Sequence, residues 1–349
     1  MGEAVFWLKP LYQLGFVCFF DFYFWIRVEA FCSKLLMLYN PKVTKNLKDI
    51  LNMTKNQPPP IITEIPVDEQ EKFEKLIKSC RSKYIRTSQE IVDKVFKEKP
   101  VYLQNIKNKE VSQSILGLRG LVWNEYLKDE VSFNIILMQK MHATLKTPQH
   151  ILELLVNKKI TELKEKDLLK EVRSLCGEYA GRVFPYIYKI ALSNTNSRRS
   201  RAGKTFESIV YKVYDILEYD FDSQNKVGRK TFTKLGLGKK VDSILPSVDC
   251  YEQRRNKTII GTMKTSLRER WQEVAEEIER TKIPEIHLLT VDEDISKSKA
   301  QEMANHNIIV VAYDWVANSE SLTSMKNIIS FEDYLFEEIP SILKFWGEK

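Results

Sequence analysis

Lys239-Lys240-Val241-Asp242-Ser243-Ile244-Leu245-Pro246, followed by Thr258-Ile259-Ile260-Gly261-Thr262-Met263-Lys264-Thr265-Ser266, decides the fold of this chain. These are two consecutive apolar, β-prone runs, one carrying a carboxylate and the next a lysine beside residues that anchor a sheet centre. A metal-dependent phosphodiesterase needs that arrangement. In phosphodiester hydrolysis water attacks phosphorus and the leaving oxygen must be relieved of charge; a divalent cation held by Asp242 serves both needs. Lys264 adds a fixed positive charge beside the non-bridging oxygens. In the usual nuclease pattern a second carboxylate stands two residues before the lysine, and here that position is Thr262.

The following segment, Leu267-Arg268-Glu269-Arg270-Trp271-Gln272-Glu273-Val274-Ala275-Glu276-Glu277, reads as a helix after the capping residues Thr265 and Ser266. Arg270, Glu273 and Glu277 share one stripe, from which Glu277 can return to the sheet as the missing metal ligand. Arg268, Glu269 and Arg270 stand on the first turn and project toward a bound groove. Arginine pairs bidentately with guanine, and a carboxylate accepts from the cytosine amino group, so the triplet suits stacked G·C pairs.

At these residues the chain resembles the EcoRII, PspGI and SsoII group of type II restriction endonucleases, of the PD-(D/E)xK nuclease fold. The resemblance rests on Ser200-Arg201-Ala202-Gly203-Lys204-Thr205-Phe206-Glu207, on Val241-Asp242 with Pro246, on Met263-Lys264 running into Arg268-Glu269-Arg270, and on Glu277. Asp242 and Lys264 are twenty-two residues apart, and Glu277 lies thirteen beyond the lysine. The clear match covers roughly residues 200 to 313. It implies an α/β (α+β) fold, with a restriction-endonuclease-like core of central mixed sheet flanked by helices, preceded by a helical region. It also implies that Asp242 and Glu277 hold Mg2+, that Lys264 is the catalytic lysine, and that Glu207 is an additional catalytic acid. Arg268, Glu269 and Arg270 would contact the outer C·G pairs of a site resembling CCNGG or CCWGG, with Arg201 and Lys204 as further DNA-binding groups. Members of the group cut before the first C and flip the central bases. Tyr251 has a counterpart in the EcoRII branch.

Each residue also has a plainer reading. Glutamates at this density usually form a solvated helix face, the preferred account of Glu273 and Glu276. Asp242 is either at a strand end in solvent or part of a site, because burying it unpaired is expensive. Lys264 could be an ordinary edge-strand lysine. Glu207 could face solvent from a helix over Thr205 to Leu217, whose apolar stripe is Phe206, Ile209, Val210, Val213 and Leu217.

The chain has 54 Lys and Arg against 47 Asp and Glu, a net charge of +7 that favours polyanionic partners. Residues 193–201, with three arginines among small hydroxyl and amide side chains, read as a phosphate-contacting loop. Basic residues continue at Lys226, Arg229, Lys230, Lys234, Lys239 and Lys240; phosphate contacts of this kind make affinity fall steeply with salt. Cys18, Cys32, Cys80, Cys176 and Cys250 form no CxxC and no metal-ligand set with the four histidines, which points to a reduced cytoplasm and away from zinc. There is no Walker loop, GxGxxG fingerprint or internal repeat.

Four regions follow. Residues 1–54 form an aromatic-rich extension, read as a helix packed on the core, a membrane-associated anchor, or sequence upstream of a native start at Met37 or Met53. Residues 55–67 are a Pro-rich linker. Residues 68–192 are helical, with segments near 69–98, 110–127, 131–145, 148–157 and 161–192. Residues 193–349 hold the nuclease core, with strands at 240–246, 257–264, 286–291 and 307–313, helices at 267–281 and 296–306, and one or two closing helices over 331–346. The expected function is Mg2+-dependent, sequence-specific cleavage of double-stranded DNA by a cytoplasmic homodimer, beside a cognate DNA methyltransferase; a nearly palindromic site presents two half-sites. The alternatives are a catalytically silent DNA-binding module, a membrane-associated helical interaction protein, and, among nucleases, a repair or mobile-element enzyme.

Overall fold

The computed structural model describes residues 60–156, 165–237 and 240–347. The aromatic stretch before residue 60, and with it the expected starts at Met37 and Met53, lies outside the described residues. Two compact units comprise 60–84 with 131–193, and 85–130 with 194–347.

The described residues between 67 and 216 form helices and no strand: α1 (Val67–Tyr84), α2 (Ser88–Glu98), α3 (Val101–Lys107), α4 (Val111–Thr144), α5 (Lys146–Val156), α6 (Glu165–Arg182) and α7 (Phe184–Ile216). In α1 the buried residues Phe73, Ile77 and Cys80 fall on one face at helical spacing. A single helix over 69–98 is expected from sequence, but the chain breaks before α2. There Thr87 accepts from the Glu90 amide while the Glu90 carboxylate accepts from the Thr87 amide at 2.7 Å, a capping box that starts a new helix. In the first unit Glu69 is buried, and its carboxylate is satisfied by the Tyr186 hydroxyl at 2.5 Å and the Thr147 amide at 2.9 Å.

The expected loop over 193–201 is helix, part of α7. Its composition favours turns only weakly, and the buried residues on either side, Tyr186 and Ile190 before it and Phe206, Ile209 and Val210 after it, carry the helix through.

The second unit holds a six-stranded mixed sheet in the order β1-β2-β3-β4-β5-β6. Strand β1 (Asp222–Ser223) precedes the short helices α8 (Gln224–Val227) and α9 (Arg229–Lys234); β2 (Ser243–Leu245) leads to α10 (Val248–Gln253) and then β3 (Ile259–Lys264). Helix α11 (Arg270–Thr281), β4 (Ile286–Thr290), α12 (Lys297–Asn305), β5 (Ile308–Ala312), α13 (Asp314–Ala317), β6 (Ile328–Ser330), α14 (Phe331–Asp333), a π-helical turn over Tyr334–Glu338 and α15 (Ile339–Trp346) complete it. Strands β1, β2 and β3 pair antiparallel, and β3 through β6 pair parallel. All five residues of β4 are buried, as expected where helices cover both faces of parallel strands. The four expected strands are present within shorter limits, and β1 and β6 were not expected.

No helix among the described residues is long and apolar enough to cross a membrane. Cys80 and Cys250 are free thiols.

Candidate active site

Asp242 enters the sheet one residue before β2, where its amide donates to the Gly261 carbonyl at 2.8 Å. Its Oδ2 accepts from the Met263 amide at 2.7 Å and from the Thr262 hydroxyl at 3.4 Å. Lys264 Nζ stands 3.9 Å from that oxygen and donates to Thr262 Oγ1 at 3.1 Å and to the Met263 carbonyl at 3.3 Å. The two charged side chains are only 14% and 16% exposed, so each feels the other strongly. Thr262 therefore links the pair: its hydroxyl, where many nucleases carry a carboxylate, faces both Asp242 and Lys264.

Helix α7 brings the second acid. Burial first, and the nearby Asp242 second, push the Glu207 carboxyl up to about 7 against the opposing pull of Lys264 and Lys204. The Asp242 carboxyl is likewise raised by burial, against the pull of Lys264. One turn beyond Glu207, the Tyr211 hydroxyl donates to the Asp242 carbonyl at 2.9 Å, and its ring stacks on Phe221 at 5.3 Å. Helix, strand entry and lysine thus converge on one half-buried cluster.

Helix α11 carries two further acids, Glu273 and Glu277. Glu277 is buried, and its carboxylate accepts from Arg280 at 2.6 Å. Glu273, expected to be merely solvated, is half-buried, hydrogen-bonded to Lys240, and held low by that bond and by the nearby Lys264. Lys240 and Lys264 approach the helix at that turn, which pulls Glu273 off the solvated face. Glu276 is exposed as expected.

Arg268, Glu269 and Arg270 are all exposed, between the fully buried Leu267 and the start of α11. Lys204 is exposed as well. Arg201 is engaged internally, donating to Ser88 Oγ at 3.0 Å and to the Arg86 carbonyl at 2.5 Å, with its guanidinium over the Tyr126 ring. Arg198 likewise pairs with Glu130 at 3.0 Å, so these two arginines support the helix from within. Tyr251 is buried in α10 with Arg255 over its ring, the surroundings of a core residue.

The donor chemistry suits a hard divalent cation. Asp242 and Glu207 bring two oxygen ligands of like charge into a space where burial disfavours both ionised forms, and a cation relieves that conflict. No set of three His, Cys, Asp or Glu side chains arranged for a metal is gathered among the described residues. Mg2+ accepts such a sparse set, because it keeps waters and takes substrate phosphate oxygens. Sequence reasoning missed Tyr211 and Glu273; each stands four residues from an expected acid on the same helix, a spacing that puts it on the same face.

The family model "EcoRII C terminal" matches residues 173–335. The type II restriction enzyme SsoII of Shigella sonnei is 32% identical over 271 residues, which span 75% of this chain and 80% of that enzyme. Two structures of metal-depleted Ecl18kI, one in complex with uncleaved DNA and one with uncleaved, modified DNA, superpose with a TM-score of 0.61 at 29% identity, covering 80% of this chain and 86% of theirs. With that extent of likeness laid over a mixed sheet carrying a half-buried Asp/Lys/Glu cluster, the chain belongs to the EcoRII/SsoII-like type II restriction endonucleases, nucleases that cleave DNA at specific sequences.

Proposed function

We propose that the protein hydrolyses double-stranded DNA at a short C/G-flanked site resembling CCNGG or CCWGG, with Mg2+, as a cytoplasmic homodimer opposed by a cognate DNA methyltransferase. The observation that carries this reading is the convergence of Asp242, Lys264 and Glu207, with Lys264 Nζ 3.9 Å from the Asp242 carboxylate. Asp242 and Glu207 would hold the cation, and Glu277 would join them from α11 as its spacing suggests. When bound, Mg2+ supplies charge neutralisation at the phosphate and acidifies water.

Lys264 balances the negative charge that grows on the non-bridging oxygens, and its contact with Thr262 keeps the ammonium in place. The leaving 3′ oxygen takes its proton from solvent. Arg268, Glu269 and Arg270 would contact the outer C·G pairs, a reading supported by their exposure beside the lysine's strand. Lys204 would contact a phosphate; Arg201, held by Ser88 and Arg86, would stiffen α7 beneath it.

Incubation of the purified protein with DNA of known sequence and Mg2+ should give discrete fragments, and sequencing their ends would identify the site. Lys264→Ala should bind that site and leave it uncut. Unbroken DNA from the unmodified protein under every divalent cation would refute the proposal.

A further inference from the structure

The turn that carries Arg268, Glu269 and Arg270 is fastened at one point. Leu267 is fully buried, its amide donates to Asp292 Oδ2 at 2.7 Å, and its carbonyl accepts from the Arg270 amide at 2.6 Å. Immediately afterwards Arg268 adopts φ +23°, a conformation that a residue with a Cβ rarely takes. Glu269 gives no side-chain cap to α11, so the first turn of the helix draws no support from its own acid.

Asp292 lies just past β4, and Leu267 just past β3. Those strands are parallel neighbours whose last paired residues are Lys264 and Thr290. The Leu267–Asp292 bond therefore ties together the ends of the two strands at the level of Lys264. Asp292 is itself fixed: its amide donates to Thr290 Oγ1 at 3.1 Å, and its Oδ1 accepts from the Asp294 amide at 3.2 Å. A short chain of bonds thus runs from the buried end of β4 to the root of the exposed triplet.

We infer that Asp292 is a specificity-determining positioning residue: its carboxylate holds the strained turn so that Arg268 and Arg270 meet base edges in a fixed register with Lys264. This rests on the proposed role of the triplet. Bidentate contact with a base edge demands accurate placement of a planar group, so a loosened root lowers discrimination between sequences.

The test compares full-length Asp292→Ala, Asp292→Asn and Arg270→Ala with the unmodified protein. For each, kcat/KM is measured on duplexes bearing the preferred site and on duplexes with one outer pair exchanged, together with the melting temperature. Asp292→Ala should lower the ratio of preferred to exchanged site by about tenfold or more, the scale of one lost base contact. Asp292→Asn keeps an oxygen for the Leu267 amide and should stay within about threefold of the original ratio. Both should melt within about 4 °C of the unmodified protein. An unchanged ratio in Asp292→Ala, or equal losses at every sequence in both Asp292 variants, would overturn the inference. Undiminished discrimination in Arg270→Ala would instead overturn the role of the triplet itself.

Discussion

The Tyr211 hydroxyl donates to the Asp242 main-chain carbonyl at 2.9 Å, bolting the strand entry that bears one acid to the helix that bears another, Glu207. The bond fixes the spacing between two carboxylates without touching either. Tyr211→Phe keeps the stack on Phe221 and loses only the bond, so it should cost about 1 kcal/mol of stability. Its larger effect should fall on the cation: half-saturation by Mg2+ should rise several-fold and single-turnover cleavage should slow by about tenfold. Cleavage titrated against Mg2+ measures both, and an unmoved half-saturation would reduce the bond to a fold contact.

Glu207, pushed up to about 7, holds a proton through much of the neutral range. Its carboxyl is raised, so in the metal-free protein the associated stability is present at low pH and is lost as pH climbs through 7. A divalent cation competes with that proton, so apparent Mg2+ affinity should strengthen between about pH 6 and pH 8. Calorimetric titration at several pH values should show proton release on binding, and Glu207→Gln should flatten the dependence.

Glu277 and Glu273 occupy successive turns of α11 with different neighbours, Arg280 for the first and Lys240 for the second. With Glu277 as the ligand, Glu277→Gln should depress cleavage by about a hundredfold or more, while Glu273→Gln stays within about tenfold. Arg280→Ala should leave cation affinity equal or stronger, since it releases the carboxylate. A deeper loss in Glu273→Gln would exchange the roles of the two acids.

His287 is buried in β4, its ring 5.5 Å from that of Tyr334, and burial lowers its pKa to about 4. The folded protein thus binds this proton more weakly than the unfolded chain, whose histidine titrates near 6.5. The associated stability is whole above pH 6.5 and drains as pH falls toward 4, by about 3 kcal/mol from this group. His142 is depressed in the same direction by burial. Denaturant unfolding from pH 7 to pH 4.5 should show the loss, and His287→Leu should remove a measurable share of it.

The consecutive apolar, β-prone runs around Asp242 and Lys264 made β2 and β3 legible, and the helical stripe Phe206, Ile209, Val210 and Val213 made the C-terminal half of α7 legible. Short strands such as β1, with two residues, carry too little pattern to be seen before the partner strand is known. The arginine-rich segment of α7 misled because a polar composition describes a surface and says little about backbone; packing on either side decided it. The Asp/Lys pair was visible from residue type and spacing. The Thr262 hydroxyl between its members and the Leu267–Asp292 tie depend on register between strands, which no local stretch encodes.

The sheet ends in strands of two residues on one side and three on the other. An extended segment from a neighbouring molecule finds only two or three backbone rungs at either margin, too few for stable ribbon growth. Crowded or overproduced protein should therefore stay dispersed while folded, and any fibrous deposit should have to begin with loss of the native state.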